Sequence, residues 1–384
     1  MNSYIFLLSI AIILTATKGL GDLTNKVHMP QVVGALMAGV ILGPSCLGWI
    51  EETDFISKTA EIGVILLMFT AGFDTDINEM KKNSKACVII AILGVFLPLI
   101  GGTLCYYFFF EPGTTDYDVM LKSIFVGVIL TATSVSITVE ALREMGKLDG
   151  KAGNAILGAA IIDDILGILV LTIVISMKDP TISIISIVIK IVIYVMLIGV
   201  LWFIAEKKRG FIDANCGKRR VTTYVLAFCL IVAFVTEHYF GIADITGAYL
   251  FGLILSNHRI KKEVARKLAA PSYLFFSPIF FASIGLKVEL DGLNSQMIIF
   301  SLILLAVAVA TKIIGCGIGA KICGFAGRDA LQVGVGMVSR GEVALIVAQK
   351  GFSAGLINES MFPPIVIVVI VTTIITPIVL RKIM

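Results

Sequence analysis

The stretch Gly158-Ala-Ala-Ile-Ile-Asp163-Asp164-Ile-Leu-Gly167 places two adjacent carboxylates near the middle of an apolar segment that covers residues 152–177. Ionisable side chains at bilayer depth are costly and rare, and they usually belong to ion or proton pathways. Neighbouring residues point about 100° apart on a helix, so the two carboxylates need not share a role. One of them can face a packing partner while the other faces a water-filled cavity.

The composition of the whole chain indicates a membrane protein. Hydrophobic residues make up 58% of the 384 residues and charged residues 15%, and the mean hydropathy is +0.98. Apolar windows of about 20 residues, the length that crosses a bilayer, recur along most of the chain. We therefore expect an all-α polytopic membrane protein whose residues 1–384 form a single integral membrane domain.

Hydropathy and helix-breaking residues together predict about 13 transmembrane helices. The expected limits are 4–20, 30–49, 56–74, 86–110, 118–142, 152–177, 181–205, 221–239, 243–257, 270–286, 296–320, 329–350 and 361–381.

The loops between these segments alternate in charge. One set is basic and includes Lys81, Lys82, Lys85, Arg143, Lys147, Lys151, Lys207, Lys208, Arg209, Lys218, Arg219, Arg220, Arg259, Lys261, Lys262, Arg381 and Lys382. The other set is acidic or neutral, as in residues 51–54 and 111–118. Because basic loops stay in the cytoplasm, we expect the N-terminus outside and the C-terminus inside.

A weak internal repeat points to two related halves. Residues 34–42 match residues 247–255, and residues 69–74 match residues 282–287 at the same offset. The offset crosses seven predicted helices, an odd number, so the two copies would lie inverted in the membrane, as in many secondary transporters. Chance similarity among glycine-rich apolar helices is the alternative explanation. The repeats are expected at about 1–177 and about 221–384, with a linker helix at about 181–205.

Lys312 is a third charge far from both ends of a predicted span. An unpaired ammonium there would cost several kcal/mol or lose its proton. Asp163 is the expected partner, and this pairing would leave Asp164 as the main ion ligand; snorkelling of Lys312 to the interface is the alternative. A carboxylate binds a cation when ionised and a proton when neutral, and the two states exclude each other, which is the chemistry that antiport requires.

Two further spans are polar at their centres. The first contains Thr131, Thr133 and Ser134, and the second contains Ser339, Arg340 and Glu342. Such interruptions are typical of discontinuous helices, whose exposed carbonyls and dipole ends offset charge near the midplane. Arg340 and Glu342 are expected to neutralise each other or to hold the crossing together rather than to bind the ion directly.

The sequence contains no pattern typical of a metal centre, a phosphate-binding loop or a nucleic-acid surface. No cofactor is expected apart from the transported Na⁺ and H⁺, and no enzymatic activity, since adjacent aspartates on one helix cannot form an aspartyl-protease dyad. Glu61 and Lys190 are assigned no role.

These residues resemble those of bacterial sodium/proton antiporters of the NapA and NhaA type. The segment from Met29-Pro30 to Gly43-Pro44 also resembles a signature of the monovalent cation:proton antiporter-2 family. The resemblance implies a homodimer, an elevator-like movement of a six-helix core, and Asp164 as the principal site for Na⁺ and protons with Asp163 paired to Lys312. It also implies electrogenic exchange across the bacterial cytoplasmic membrane.

Two rival functions remain open. A sodium-coupled symporter of an organic solute would share the fold but needs a cavity with neutral polar contacts. A non-coupled cation channel would need a selectivity loop or a row of gating arginines, and the sequence shows neither.

Overall fold

The computed structural model describes residues 4–27, 29–75, 77, 82–178, 184–214, 219–287 and 294–384. This part of the chain is helical and contains no strand. The helices are α1 (Ile5–Lys26), α2 (Gln31–Leu42), α3 (Asp54–Asp74), α4 (Ser84–Phe110), α5 (Tyr117–Thr131), α6 (Val135–Glu144), α7 (Lys151–Lys178), α8 (Ile184–Lys207), α9 (Arg209–Ala214), α10 (Arg219–Phe240), α11 (Asp244–Leu255), α12 (Ile260–Pro271), α13 (Ser277–Leu286), α14 (Ser295–Ile322), α15 (Gly327–Gly336), α16 (Glu342–Ser353) and α17 (Phe362–Ile383).

The helices have the dimensions of a multi-pass membrane protein. Within the described ranges, ten helical segments are long and apolar enough to cross a bilayer, and three shorter apolar helices cover residues 31–42, 244–255 and 343–352. The expected class, an all-helical polytopic membrane protein, is therefore confirmed. The count of thirteen spans stays a prediction, because length and composition alone do not place the shorter helices across the bilayer.

Residues 260–269, which the sequence had suggested as part of a basic loop, lie in helix α12. Ile260, Val264 and Leu268 recur every fourth residue in α12 and are buried, whereas lysines and arginines occupy the other faces. This is the apolar stripe of an amphipathic helix. A π-helical turn over residues 272–276 then joins α12 to α13, and the charge of the segment had hidden its helical period.

Two helical segments are interrupted where the sequence is polar. The first breaks at residues 132–134, between α5 and α6, and the second at residues 337–341, between α15 and α16. Backbone groups freed by a break cannot bond to lipid, so they need partners inside the protein. The two breaks lie against each other and supply those partners, as described below.

Glycines allow the closest helix contacts. Gly39 of α2 lies against Gly285 of α13, and Gly72 of α3 lies against Gly252 of α11. A β-carbon on any of the four would clash with backbone of the facing helix. Small residues at such contacts are the usual means of close approach between helices in membranes.

Candidate ion-binding site

Asp163 of α7 and Lys312 of α14 form a buried ion pair. Lys312 Nζ lies 2.9 Å from Asp163 Oδ1, and the two side chains are 0% and 2% exposed. The structure thus places the lysine at the carboxylate that the sequence had suggested as its partner. The pair is uncharged overall, which reduces the cost of holding either ion away from water.

Helix α4 packs closely against α14 beside this ion pair. Gly315 and Gly319 of α14 lie against the α4 backbone, and both sit on the helix face that carries Lys312. Opposite them, Gly94 of α4 lies beside the pair: a β-carbon there would be 3.6 Å from Lys312 Nζ and 2.6 Å from Cys316 Sγ. The absence of a side chain at Gly94 therefore leaves the space that the ion pair and Cys316 occupy.

Asp164, one residue further along α7, faces a cavity. The cavity has a volume of about 110 Å³, and its charged lining consists of Asp164, Asp163, Glu237 of α10 and Lys350 of α16. Along α7 it extends from Asp163 and Asp164 to Leu171, in the direction of Lys178. On the opposite side of Asp164 there remains about 10 Å³, at the lower limit of space that holds a water molecule. Of these two spaces in the described part of the chain, only the first is large enough for several water molecules.

Asp164 also contacts the helix that faces α7. Thr246 Oγ1, in the first turn of α11, donates a hydrogen bond of 2.7 Å to Asp164 Oδ2. Asp163 and Asp164 consequently have different environments. Asp163 is engaged by Lys312 beside the cavity, whereas Asp164 lies between the same cavity and the Thr246 hydroxyl.

The two helix breaks are joined by reciprocal hydrogen bonds. The backbone N–H of Ser134 donates to the carbonyl of Ser339 at 2.8 Å, and the Ser339 hydroxyl donates to the carbonyl of Ser134 at 2.7 Å. Thr138 adds a bond of 2.7 Å to the carbonyl of Gly336, the last residue of α15. These contacts replace the helical bonds that the breaks remove. Ser134 and Ser339 therefore serve the crossing, whereas the hydroxyls of Thr131 and Thr133 bond to carbonyls of their own segment.

Arg340 fixes the crossing with its guanidinium group. This side chain is 0% exposed and donates to the carbonyls of Leu130 and Val338, each at 2.8 Å, and to the carbonyl of Ala308 at 3.2 Å. Leu130 lies in the last turn of α5, and Val338 follows the end of α15. Since helix C-termini carry partial negative charge, a cation is favourable there. Glu342, the first residue of α16, has a side chain outside the described part of the chain, so the predicted Arg340–Glu342 neutralisation stays a prediction.

Comparisons with known proteins show the family of this chain. The sodium/hydrogen exchanger transmembrane family matches residues 8–384. The chain belongs to the sodium/hydrogen exchanger family. It is 39% identical over 379 residues to the Na(+)/H(+)-K(+) antiporter GerN of Bacillus cereus, covering 97% of this chain and 94% of that protein. It is 36% identical to an Na(+)/H(+) antiporter of Enterococcus hirae, covering 97% and 96%.

The fold also resembles a solved exchanger. The sodium proton antiporter MjNhaP1 from Methanocaldococcus jannaschii superposes with a TM-score of 0.71 at 16% identity, covering 100% of both chains. At this identity the likeness concerns the fold alone. These comparisons do not distinguish the expected NapA or NhaA subtype from other subtypes of the family.

A second group of charges, which the sequence did not single out, lies at the end of α6 in this exchanger. Glu144 accepts hydrogen bonds from the backbone N–H groups of Gln31 (2.7 Å) and Val32 (3.1 Å), in the first turn of α2. Arg143 donates to Thr70 at 3.1 Å and to Asp74 at 3.3 Å on α3. The end of a broken helix is thus attached to two other helices. In the sequence Arg143 and Glu144 look like ordinary loop charges, because they stand at the predicted edge of a span.

The same end of the exchanger has a second cavity. It measures about 340 Å³ and is lined by Glu140 and Glu144 of α6 together with Gln31 of α2 and Tyr273. Glu140 is buried and lies 3.6 Å from Arg143. Its position inside a predicted span was the signal that could have singled it out, as for Asp163 and Asp164.

Of the two charges left without a role, Glu61 lies next to Glu237, a residue of the cavity at Asp164, and Lys190 lies on α8. Glu61 is exposed and shares a cluster with Glu237 and Asp244, in which carboxylate oxygens lie within 4.8 Å of one another. Lys190 is exposed on α8. Neither contacts the Asp163–Lys312 pair in the described structure.

Proposed function

We propose that this protein is a secondary active antiporter that exchanges a monovalent cation for protons across the bacterial cytoplasmic membrane. Na⁺ is the proposed cargo, with Li⁺ or K⁺ as alternatives, in line with the Na⁺, H⁺ and K⁺ in the names of its relatives. The observation that carries the proposal is the difference between two neighbouring carboxylates that line one cavity: Asp163 is paired with Lys312, whereas Asp164 accepts a hydrogen bond from Thr246.

Asp164 is the proposed carrier. When ionised, its carboxylate binds a dehydrated cation delivered through the cavity, and when protonated it does not. A cation and a proton therefore occupy the site alternately. Asp163 contributes with Asp164 to the Na⁺ site, and Lys312 holds the Asp163 charge in place. Thr131 and Ala132 also line the cavity, so the break of the first crossing helix lies beside the proposed carrier.

The arrangement of glycines supports the proposed inverted repeats. In the repeat alignment Gly39 corresponds to Gly252, and Gly72 corresponds to Gly285. Exchange of the two copies converts the Gly39–Gly285 contact into the Gly252–Gly72 contact, and both contacts occur. Such a two-fold relation is what halves of opposite orientation produce. We place thirteen spans in this scheme, with α8 as the linker between repeats.

An elevator movement follows from this assignment. The group that moves would contain α4–α7 and α14–α17, which hold Asp163, Asp164, Lys312 and the crossing. The group that stays would contain α1–α3 and α10–α13, and two copies of it would form the homodimer. Since Asp164 lies at the boundary between the groups, a sliding movement exposes it first to one side and then to the other.

The charge pattern of the loops supports an N-terminus outside and a C-terminus inside. In that orientation the cavity at Asp164 opens outward. We assign the NapA-like subtype because of the paired aspartates with a buried lysine, and with it electrogenic exchange, in which more than one proton moves per cation.

The test is cation-driven proton movement in proteoliposomes, with the wild type beside Asp164→Asn. Na⁺, Li⁺ and K⁺ are added separately, and the wild type is measured again with the membrane potential clamped. We expect the wild type to dissipate a proton gradient and Asp164→Asn to be silent. Normal exchange by Asp164→Asn would exclude it as the carrier, and a folded wild type silent toward all three cations would favour the organic-solute symporter.

A further inference from the structure

The hydrogen bond from Thr246 to Asp164 differs from those of most threonines in this protein. A threonine in a membrane helix usually bonds to a carbonyl one turn earlier in its own helix, as Thr172 does with Ile168 and Thr236 with Val232. The hydroxyl of Thr246 instead reaches another helix, 82 residues away in sequence. Thr246 is 3% exposed, so its hydroxyl lies inside the protein.

The position of the donor indicates which protonation state of Asp164 the contact favours. Thr246 is in the first turn of α11, which begins at Asp244. The N-terminal end of a helix carries partial positive charge. Both the hydroxyl donor and the helix end therefore favour the ionised form of Asp164, which is the form that takes up a cation.

Other charged or titratable groups also surround the carboxylate, and they bear on any pH dependence. They are Asp163 on the same helix, Glu237 of α10 with Asp244 beside it, Lys350 of α16, Tyr249 of α11 and Tyr194 of α8. Thr246 differs from all of them because it does not titrate, so it shifts the balance at Asp164 without adding a charge.

We propose that Thr246 is a positioning residue that sets the competition between the cation and protons at Asp164. The inference rests on the proposed function, with Asp164 as the carrier. Thr246 belongs to the group of helices that stays, and Asp164 to the group that moves. The bond therefore exists on one side of the transport cycle, where it favours proton release and cation binding, and it is broken on the other side.

The test compares three variants in proteoliposomes over a range of pH. Thr246→Val removes the hydroxyl at nearly constant shape, Thr246→Ser keeps it, and Thr172→Val removes a hydroxyl that bonds within its own helix. A hydrogen bond to a charged group contributes enough to move a proton equilibrium by about one pH unit. We expect the pH profile of Thr246→Val to move to alkaline pH by about one unit, because Asp164 without its donor holds the proton longer. The apparent KM for the cation rises about tenfold on the acidic side, while kcat at saturating cation and alkaline pH changes less than twofold.

Thr246→Ser and Thr172→Val should keep the wild-type profile. If Thr246→Val is poorly folded, Thr246→Ala provides a second variant without the hydroxyl. The stabilisation of the purified protein by added Na⁺ is then measured as a function of pH in place of transport. An unshifted profile in a folded variant, or a uniform loss of kcat at every pH, would overturn this inference and leave the antiport proposal intact. Absence of exchange in the wild type would instead refute the antiport proposal itself and this inference with it.

Discussion

Asp163 and Lys312 lie 149 residues apart in the sequence and form an ion pair that solvent does not reach. Replacement of one partner leaves the other as an uncompensated charge in an apolar environment. Breaking such a pair costs about 3–5 kcal/mol, whereas replacement of both partners by neutral residues costs much less. This difference separates an ion pair that matters for folding from a coincidental contact.

We therefore expect Lys312→Met to lower the melting temperature of the detergent-solubilised protein by several degrees. The double variant Asp163→Asn with Lys312→Met should recover most of that loss, because no unpaired charge remains. Lys190→Met, which removes an exposed lysine of α8, is the matched control and should melt like the wild type. A double variant no more stable than Lys312→Met alone would show that the pair contributes no coupling.

Gly94 offers a test of the space around the ion pair. A β-carbon at this position would lie 2.6 Å from Cys316 Sγ, and overpacking of this kind costs about 1–3 kcal/mol. Gly94→Ala should therefore destabilise the protein in thermal melts and reduce transport. Cys316→Ala removes the sulfur that the new methyl group meets, so the double variant should regain stability. Gly199→Ala, on α8 where a β-carbon meets nothing within 4 Å, should be tolerated.

Glu144 holds the start of α2 through two backbone N–H groups. An acidic side chain at a helix N-terminus satisfies free donors and complements the helix dipole, and its loss costs about 1 kcal/mol or more. Glu144→Gln retains an oxygen acceptor and should lose roughly half as much stability as Glu144→Ala. Melting curves of both variants beside Glu51→Gln, which alters an exposed carboxylate, provide the measurement. Equal melting of all three with the wild type would mean that α2 does not depend on this contact.

Much of the site was predictable because charges are scarce in the apolar spans. Asp163, Asp164, Lys312 and Arg340 stand out since each would be costly without a function or a partner. The breaks at residues 132–134 and 337–341 were predictable from clustered hydroxyls and glycines. The pairing of Lys312 with Asp163 followed from cost, as an ammonium at that depth needs a carboxylate.

Other features could not be read from the sequence. Thr246 looks like any threonine of a membrane helix, since only the fold brings it to Asp164. Arg143 and Glu144 stand where a span ends, so Arg143 was counted with the basic loop charges and Glu144 was not singled out. The helical period of α12 was present in Ile260, Val264 and Leu268, but its charge led to the expectation of a loop.

His258 provides a pH-dependent prediction outside the spans. It lies between α11 and α12, is 3% exposed and has Asp213 Oδ1 at 3.8 Å from its Nδ1. Burial lowers the pKa of His258 below its ordinary value of 6.5, although the carboxylates of Asp213 and Glu206 oppose this effect. The unfolded chain thus binds the proton at higher pH than the folded protein. The contribution of this group to stability is therefore present above about pH 6.5 and is lost as the pH falls toward the folded-state pKa.

We expect the melting temperature of the wild type to fall more steeply between about pH 8 and about pH 5 than that of His258→Gln. His238→Gln, at an exposed position of α10, controls for the loss of an imidazole as such and should follow the wild type. Parallel curves for wild type and His258→Gln would show that His258 does not titrate within this range.

The last prediction concerns the side from which Asp164 is reached. Ile346 of α16 lines the cavity at Asp164, and Gln31 of α2 lines the cavity at Glu144. In the proposed orientation the first cavity opens outward and the second inward. In a background free of native cysteines, Ile346→Cys should react with a membrane-impermeant thiol reagent added outside intact cells, and Gln31→Cys should react only in everted vesicles. If the protein works by an elevator movement, Na⁺ should also change the labelling rate of Ile346→Cys, because the carrier then spends a different share of its time facing outward. Labelling of both positions from the same side would contradict the proposed topology, and a rate unaffected by Na⁺ in an active variant would argue against the movement.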